Sequence, residues 1–310
     1  MAYIAAVTRM AEQLGQTVEY NCTLDKYTTF KVGGKASAVI ELSDTEAACK
    51  LFAEISRMKL PCFVLGKGSN VIADDNGFSG VILHVGNGMS QIFLDKSDPQ
   101  RETVICGAGV SLNQLCRFAL EHSLGGLEFA WGIPGTVGGA VYMNAGAYDG
   151  EIKDVIENCI AADKNGNTVK LSAEEMKLGY RSSMFENGDY LILSASFRLR
   201  KRDAGEIRAR MDDLIARRKQ RQPLEYPSAG STFKRPKGSY ASLLIEQCGL
   251  KGLSVGGAQV STKHSGFIIN TGNATSADIL SLAELVRERV KAETGYLLEL
   301  EPKLLSDNIK

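Results

Sequence analysis

The sequence predicts an α+β chain of two domains, a glycine-rich mixed-sheet domain followed by a smaller α/β domain. Short strand-like runs alternate with glycine turns from Phe30 to about Arg200. A charged amphipathic segment, 203–221, then marks a shift in composition, and beyond it helical and strand-like runs alternate to the end. At 310 residues, 44% hydrophobic and 23% charged, the chain holds enough apolar material for two cores.

Taken in order, Ile4, Val7, Met10 or Ala11, and Leu14 recur at helical spacing until Gly15, so residues 1–27 read as an N-terminal helix and lead-in. The first domain, 28–202, has strands near 38–42, 81–85, 103–106, 158–162 and 191–199. Ser43 precedes a helix with Ala47, Ala48, Leu51, Phe52 and Ile55 on one face, Ser111 and Gln114 form a capping box, and Asn165-Gly166 marks a hairpin. The second domain, 203–310, opens with a helix whose apolar stripe is Ile207, Met211, Leu214 and Ile215. A helix over 239–248 ends at Gly249, strands follow near 255–260 and 267–269, and a long helix over 276–294 ends at Gly295. Tyr296 to Glu301 then reads as a further, largely apolar strand.

Lys plus Arg equal Asp plus Glu at 36 each, which gives no overall field for nucleic acid or an anionic membrane, so an anionic ligand has to be held by local charge. Cys22, Cys49, Cys62, Cys106, Cys116, Cys159 and Cys248 never approach a C-x-x-C spacing and read as reduced thiols, with no metal site. The N-terminal residues lack a basic segment leading into an apolar stretch, and no apolar run approaches about 18 residues, which places the expectation in the cytoplasm.

Chemistry is signalled by glycine clusters. Gly66-Lys67-Gly68-Ser69-Asn70-Val71-Ile72 leaves a short apolar strand, and successive amides in such a loop form a nest for phosphate. Trp131-Gly132-Ile133-Pro134-Gly135-Thr136-Val137-Gly138-Gly139-Ala140, running on to Asn144-Ala145-Gly146, describes a backbone shaped around something flat or phosphorylated. Ordinary turn chemistry explains either cluster alone; the pair favours a nucleotide cofactor. Gly107-Ala108-Gly109 after a strand mimics the opening of a dinucleotide fingerprint, but Leu112 occupies the third small position and the reading is set aside.

Together with Thr29-Phe30-Lys31-Val32-Gly33-Gly34, Gly126-Leu127-Glu128, Tyr180-Arg181-x-Ser183-x-Phe185, Ala229-Gly230-Ser231-Thr232-Phe233-Lys234, Gly256-Gly257-Ala258-x-Val260-Ser261 and Leu300-Glu301-Pro302, these clusters resemble the enolpyruvoylglucosamine reductase family, in family order over residues 28–305. The resemblance implies a vanillyl-alcohol-oxidase (PCMH) type FAD-binding domain and a separate α/β substrate-binding domain. It implies noncovalent FAD held by Gly66 to Ile72, Gly132, Ile133, Pro134, Gly135, Thr136, Gly138, Gly139, Asn144 and Ala145. NADPH is the implied hydride donor. Only eight residues separate Arg181 from the Tyr190 run, so the chain resembles the shorter subclass, without the loop bearing a substrate-covering tyrosine.

The family's reaction leaves a carbanion beside a carboxylate, which calls for a cation, a proton donor and a group to position or resupply the proton. Arg181, Ser231 and Glu301 match those family positions. Local cations for a sugar-nucleotide diphosphate are Arg221, Lys234 and Lys251, with His264 and Tyr180 as further substrate contacts; Arg217, Arg218 and Lys219 read as a solvated helix end. Arg235 stands where the family more often has asparagine. The expected partner is a small sugar nucleotide, with no nucleic acid, membrane or obligate protein partner. Two other readings stay open from the residues: an FAD-dependent oxidase or dehydrogenase of another alcohol or sugar, and a flavin-binding protein without turnover.

Overall fold

The computed structural model describes residues 2–97 and 102–307. They form two compact units that do not follow chain order: one takes the segments up to Tyr20, Ala38–Lys67 and Gly80–Arg217, the other Asn21–Ser37, Gly68–Ser79 and the chain from Arg218 onward.

The first unit is built on an antiparallel sheet in the order Thr168–Ser172, Ile156–Asp163, Tyr190–Lys201, Glu102–Gly107, Ile92–Asp95. Its longest strand buries Leu191, Leu193, Ala195 and Phe197 on one phase and Ile192 and Ser196 on the other, as a strand covered on both faces does. Helix Thr45–Arg57 packs Ala48, Leu51, Phe52 and Ile55 into the same core. Its N-cap is Asp44, whose carboxylate accepts from the Ala47 amide at 2.8 Å, while the Ser43 amide donates to Gln16 Oε1 at 2.7 Å. Helix Leu112–Glu121 has the expected Ser111 and Gln114 capping box, and the Asn165-Gly166 hairpin joins two antiparallel strands. Gly107 ends an antiparallel strand paired to Ser194, so Gly107-Ala-Gly109 does not open a parallel dinucleotide-binding unit.

Helix Ala204–Arg221 begins where the sequence reads the start of the second domain, yet Ile207 and Met211 lie in the first unit's core and the division falls between Arg217 and Arg218. The apolar stripe of that helix, more than its charged outer face, explains the placement. Arg218 is buried rather than part of a solvated helix end.

The second unit has its own core, in which Phe30, Val32 and Ile72 pack with Leu244 and Ile245 of helix Ala241–Gln247 and with Ile279, Leu282, Val286 and Val290 of helix Ser276–Thr294. The long helix starts at a Thr275 and Asp278 capping box and stops at Gly295 in the left-handed region. A small sheet joins Ser254–Val255, Ala258–Val260 and Ile268–Asn270, and Val71–Ala73 pairs in parallel with Lys303–Leu305. Residues 296–299 are not a strand; the expected run survives as a single bridge between Phe233 and Leu300.

All seven cysteines are free thiols, and burial pushes Cys159 up to about 12. Among the described residues no helix is long and apolar enough to cross a membrane, and no group of three or more His, Cys, Asp and Glu gathers as a metal site.

Leu282 is fully buried in the second core, whereas Leu297 is 56% exposed. Leu282→Ala is expected to cost about 2–5 kcal/mol in urea unfolding and Leu297→Ala less than about 0.5 kcal/mol. Equal costs at the two positions would contradict the packing described.

Candidate functional site

In the first unit, strand Cys62–Leu65 runs parallel to Phe78–Val85 with Leu65 opposite His84, and the glycine loop starts at the next residue. A Cβ on Gly66 would lie 2.4 Å from Thr136 Oγ1, so the start of the first glycine loop is packed directly against the second. The second loop is strapped in place by neighbouring backbone. Leu112 N donates to Gly135 O at 3.0 Å, Val137 N to Val110 O at 2.8 Å and Gly138 N to Ala108 O at 2.9 Å. Asn113 Oδ1 accepts from Gly132 N at 2.9 Å.

Thr136 caps helix Val137–Tyr142 by accepting from the Gly139 amide. Lys67, Pro134 and Gly139 are exposed, and Gly132, Ile133, Gly135, Gly138 and Ala145 are half-buried. This surface fits a flavin dinucleotide. It is made of backbone with little side-chain relief, and a Cβ on Gly139 would meet nothing closer than Thr136 Oγ1 at 3.5 Å.

Asn144 is fully buried, and its side chain faces the protein. Nδ2 donates to Gly179 O at 2.8 Å and Glu151 Oε2 at 2.7 Å, and Oδ1 accepts from Lys153 N at 2.9 Å. Those bonds brace the turn that carries Arg181, closed by Gly179 N donating to Ser182 O at 3.0 Å. Arg181 itself has φ +52°, an unfavourable region for a side-chain-bearing residue, and its Nη2 donates to Gly146 O at 2.9 Å. Its guanidinium lies 5.1 Å from the ring centroid of the exposed Tyr180.

The remaining site residues belong to the second unit, and the division cuts the first glycine motif between Lys67 and Gly68. Gly68 has φ +59°, and a Cβ there would sit 1.9 Å from Tyr27 O, so this glycine answers a backbone crossing. Thr29 Oγ1 donates to Ser228 O at 2.6 Å, just before the serine-bearing loop. Ser231 is exposed after Gly230, which has φ +76°.

Beyond Ser231 the chain pairs with the glutamate segment, Glu301 N donating to Thr232 O at 3.0 Å and Lys234 N to Glu299 O at 2.8 Å. Asn70 joins them, its Nδ2 donating to Glu301 O at 3.4 Å and its carbonyl accepting from Lys303 N at 2.9 Å. Ser231, Glu301 and the 69–72 stretch, far apart in sequence, are therefore neighbours on one backbone framework. Ser69 is half-buried, whereas Val71 and Ile72 are buried as strand residues.

Lys234 Nζ lies 3.6 Å from Glu299 Oε2. Arg221 and His264 line a pocket of about 250 Å³ with Gln220, Ser242, Glu246, Lys263 and Ser265. Lys251 bonds Glu246 Oε1 at 2.6 Å. Burial holds the His264 ring below the usual imidazole range, reinforced by nearby Lys251 and Arg221, and the Gly266 amide donates to its Nδ1 at 3.1 Å. A larger pocket of about 410 Å³, lined by Met10, Lys50, Arg57, Lys164 and Gly166 among others, contains none of the expected site residues.

Sequence reasoning missed Lys263 in the cationic pocket, and it missed His84 and Glu41. His84 Nδ1 contacts Glu41 Oε2, and its Nε2 lies 3.2 Å from Gly66 O. No motif or periodicity marks either residue; they meet because strand Lys35–Leu42 neighbours Phe78–Val85 in a separate four-stranded sheet.

A family model described as an FAD binding domain matches residues 36–172, and one described as the C-terminal domain of UDP-N-acetylenolpyruvoylglucosamine reductase matches 222–305. The UDP-N-acetylenolpyruvoylglucosamine reductase of Syntrophomonas wolfei is 44% identical over 94% of this chain and 96% of its own length. That of Clostridium novyi is 46% identical over 94% and 93%. The crystal structure of UDP-N-acetylenolpyruvylglucosamine reductase from Thermus caldophilus superposes with a TM-score of 0.79 at 35% identity, covering 93% of this chain and 99% of that one. A solvent-stable cholesterol oxidase, 13% identical with a TM-score of 0.50 over 61% of this chain and 38% of its own, is similar in fold alone. With identity of this level spread over nearly the full length of both sequences, the chain belongs to the UDP-N-acetylenolpyruvoylglucosamine reductase family.

Proposed function

We propose that this chain is a flavin-dependent oxidoreductase that reduces UDP-N-acetyl-3-O-(1-carboxyvinyl)glucosamine to UDP-N-acetylmuramate with NADPH, a step of peptidoglycan precursor synthesis, acting in the cytoplasm without an obligate protein partner. The observation that supports it most directly is the backbone pairing that sets the serine loop beside Glu301 in a member of this family. FAD, when bound, supplies the chemistry of taking a hydride from NADPH and passing it to the terminal methylene carbon of the enolpyruvyl group. The backbone of the Gly66 to Ile72 and Gly132 to Ala145 segments would hold it, with the Asn144 side chain turned into the protein, and noncovalently, since neither segment contains a histidine or cysteine.

The other steps fall to side chains of this chain. Arg181, its reach limited by the braced turn, faces the substrate carboxylate and stabilises the charge that develops there. The Ser231 hydroxyl donates its proton to the carbanion carbon and recovers one from solvent through Glu301 or a bound water. Arg221, Lys234 and Lys251 neutralise the diphosphate, and neutral His264 and Tyr180 contribute hydrogen bonds. Residues 28–202 are assigned to the cofactor and 203–310 to the substrate. The segments 28–37 and 68–79 fall in the range assigned to the cofactor yet pack with the C-terminal unit, so Gly68 to Ile72 of the first glycine motif belong to that unit.

Anaerobic reduction by NADPH should bleach the flavin, and the enolpyruvyl sugar nucleotide should restore its colour. Failure of either half rejects the activity. In Ser231→Ala, flavin reduction should persist while substrate-driven reoxidation slows by about 10² to 10⁴ in stopped flow. Equal slowing of both halves, or normal reoxidation, removes Ser231 as donor.

Gly139 has local room for a Cβ and sits on the exposed loop surface, which makes it a cleaner probe of the cofactor than Gly68. Gly139→Leu should weaken FAD retention at least about tenfold with little change in melting, and full retention would misplace the cofactor.

His264 should titrate below 6.5 by NMR, and Lys251→Ala should move its midpoint upward by removing a nearby positive charge. Because the folded ring binds its proton less readily than the unfolded one, its contribution to stability diminishes as pH falls below about 6.5. A midpoint at or above 6.5 would contradict the burial described.

A further inference from the structure

The parallel ladder between Cys62–Leu65 and the 81–84 segment ends at the pair Leu65 and His84, so the Gly66 carbonyl is the first beyond it. That carbonyl faces His84 Nε2 at 3.2 Å, and the other ring nitrogen faces the Glu41 carboxylate. A ring nitrogen bonds a carbonyl only when it carries a proton, and a carboxylate on the opposite nitrogen fixes the plane of the ring. The His84 side chain is 21% exposed and that of Glu41 39%, the histidine being the more enclosed of the two.

Two glycines lie close around the arrangement. A Cβ on Gly86 would fall 2.4 Å from Glu41 Oε1, and a Cβ on Gly66 would strike Thr136 Oγ1. Gly66 is thus gripped on two sides, by the imidazole on its carbonyl and by Thr136 against its Cα. In a planar trans peptide the C=O and the following N–H point in opposite directions, and the described residues contain no cis bonds. With the Gly66 carbonyl directed at the His84 ring, the Lys67 N–H points away from that ring, and Lys67 is an exposed residue.

We propose that His84, held by Glu41, is a positioning residue for the flavin nucleotide: it locks the Gly66–Lys67 peptide so that the Lys67 N–H is presented to an anionic oxygen of the bound dinucleotide. The proposal rests on the placement of FAD at this loop given above. A cross-strand His–Glu pair without such a role would stabilise the sheet only, and would leave cofactor affinity untouched.

Dilution-driven release of FAD from the holoprotein, followed by flavin fluorescence, separates these cases when each variant's melting temperature is measured alongside. His84→Ala and Glu41→Ala should each weaken FAD binding about tenfold, the scale of one lost hydrogen bond in a preorganised site. His84→Gln, which keeps a side-chain N–H donor for the Gly66 carbonyl, should stay within about threefold of wild type. Should His84→Ala fail to fold, Glu41→Ala and His84→Gln carry the comparison. Unchanged FAD release in the folded variants, or His84→Gln losing as much affinity as loss of the Glu41 clamp, overturns the positioning role while leaving the flavin reading intact. A wild-type protein that neither carries nor takes up FAD overturns both.

Discussion

Close backbone approach at glycine is the constraint on which the first unit depends. A Cβ on Gly109 would lie 1.9 Å from Gly86 O, Val110 and Ala108 accept the amides of Val137 and Gly138, and Thr136 then fills the space beside Gly66. Each layer positions the next, from the end of one strand to the surface of the two glycine loops. Hydrogen bonds between these layers are individually modest, but steric exclusion is not, because no side-chain rotamer removes a Cβ. The Gly107-Ala-Gly109 segment, whose pattern mimics a dinucleotide fingerprint, therefore serves as a support for the second glycine loop.

The same unit carries strain at Arg181. A non-glycine residue in the left-handed region costs on the order of 1–3 kcal/mol, and the buried Asn144 amide, bonded to Gly179, Glu151 and Lys153, supplies the surroundings that maintain it. In the second unit the framework is backbone pairing, with the 232–234 segment against 299–301 and Asn70 against 301–303. Its cations are engaged in partly exposed ion pairs, Lys251 with Glu246 and Lys234 with Glu299. Such pairs contribute little to stability; Lys251 and Glu246 lie near His264, whose ring burial holds below the usual imidazole range.

Legibility followed the range of the interaction. The Ser111 capping box, the Asn165-Gly166 hairpin and the Gly295 helix stop are complete within a few residues, and each appears where its local signal lies. Ser43 and Asp44 are both competent caps, and Gln16, remote in sequence, engages the Ser43 amide and leaves the cap to Asp44. The 296–301 run has strand composition, but its segment has a single bridge, at Leu300 with Phe233, and a strand requires a continuous neighbour as well as a suitable pattern. Arg218 looked solvated because its neighbours in sequence are charged, whereas burial depends on what packs over it.

Family and chemistry were readable because the glycine clusters, the Tyr-Arg turn, the serine loop and the final Glu-Pro are short motifs in a constrained order, each with its own stereochemical reason to persist. The residue types alone determined that backbone donors, a planar cation, a hydroxyl and a carboxylate were available. Tertiary structure decided which of them meet: that Glu301 lies along the Ser231 segment, that Asn144 braces the Arg181 turn, and that His84, in contact with Glu41, faces the Gly66 carbonyl. It also assigned 21–37 and 68–79 to the C-terminal unit. Those choices depend on pairings between distant segments, where a side chain's partner is set by sheet register and packing, quantities to which local spacing along the chain is blind.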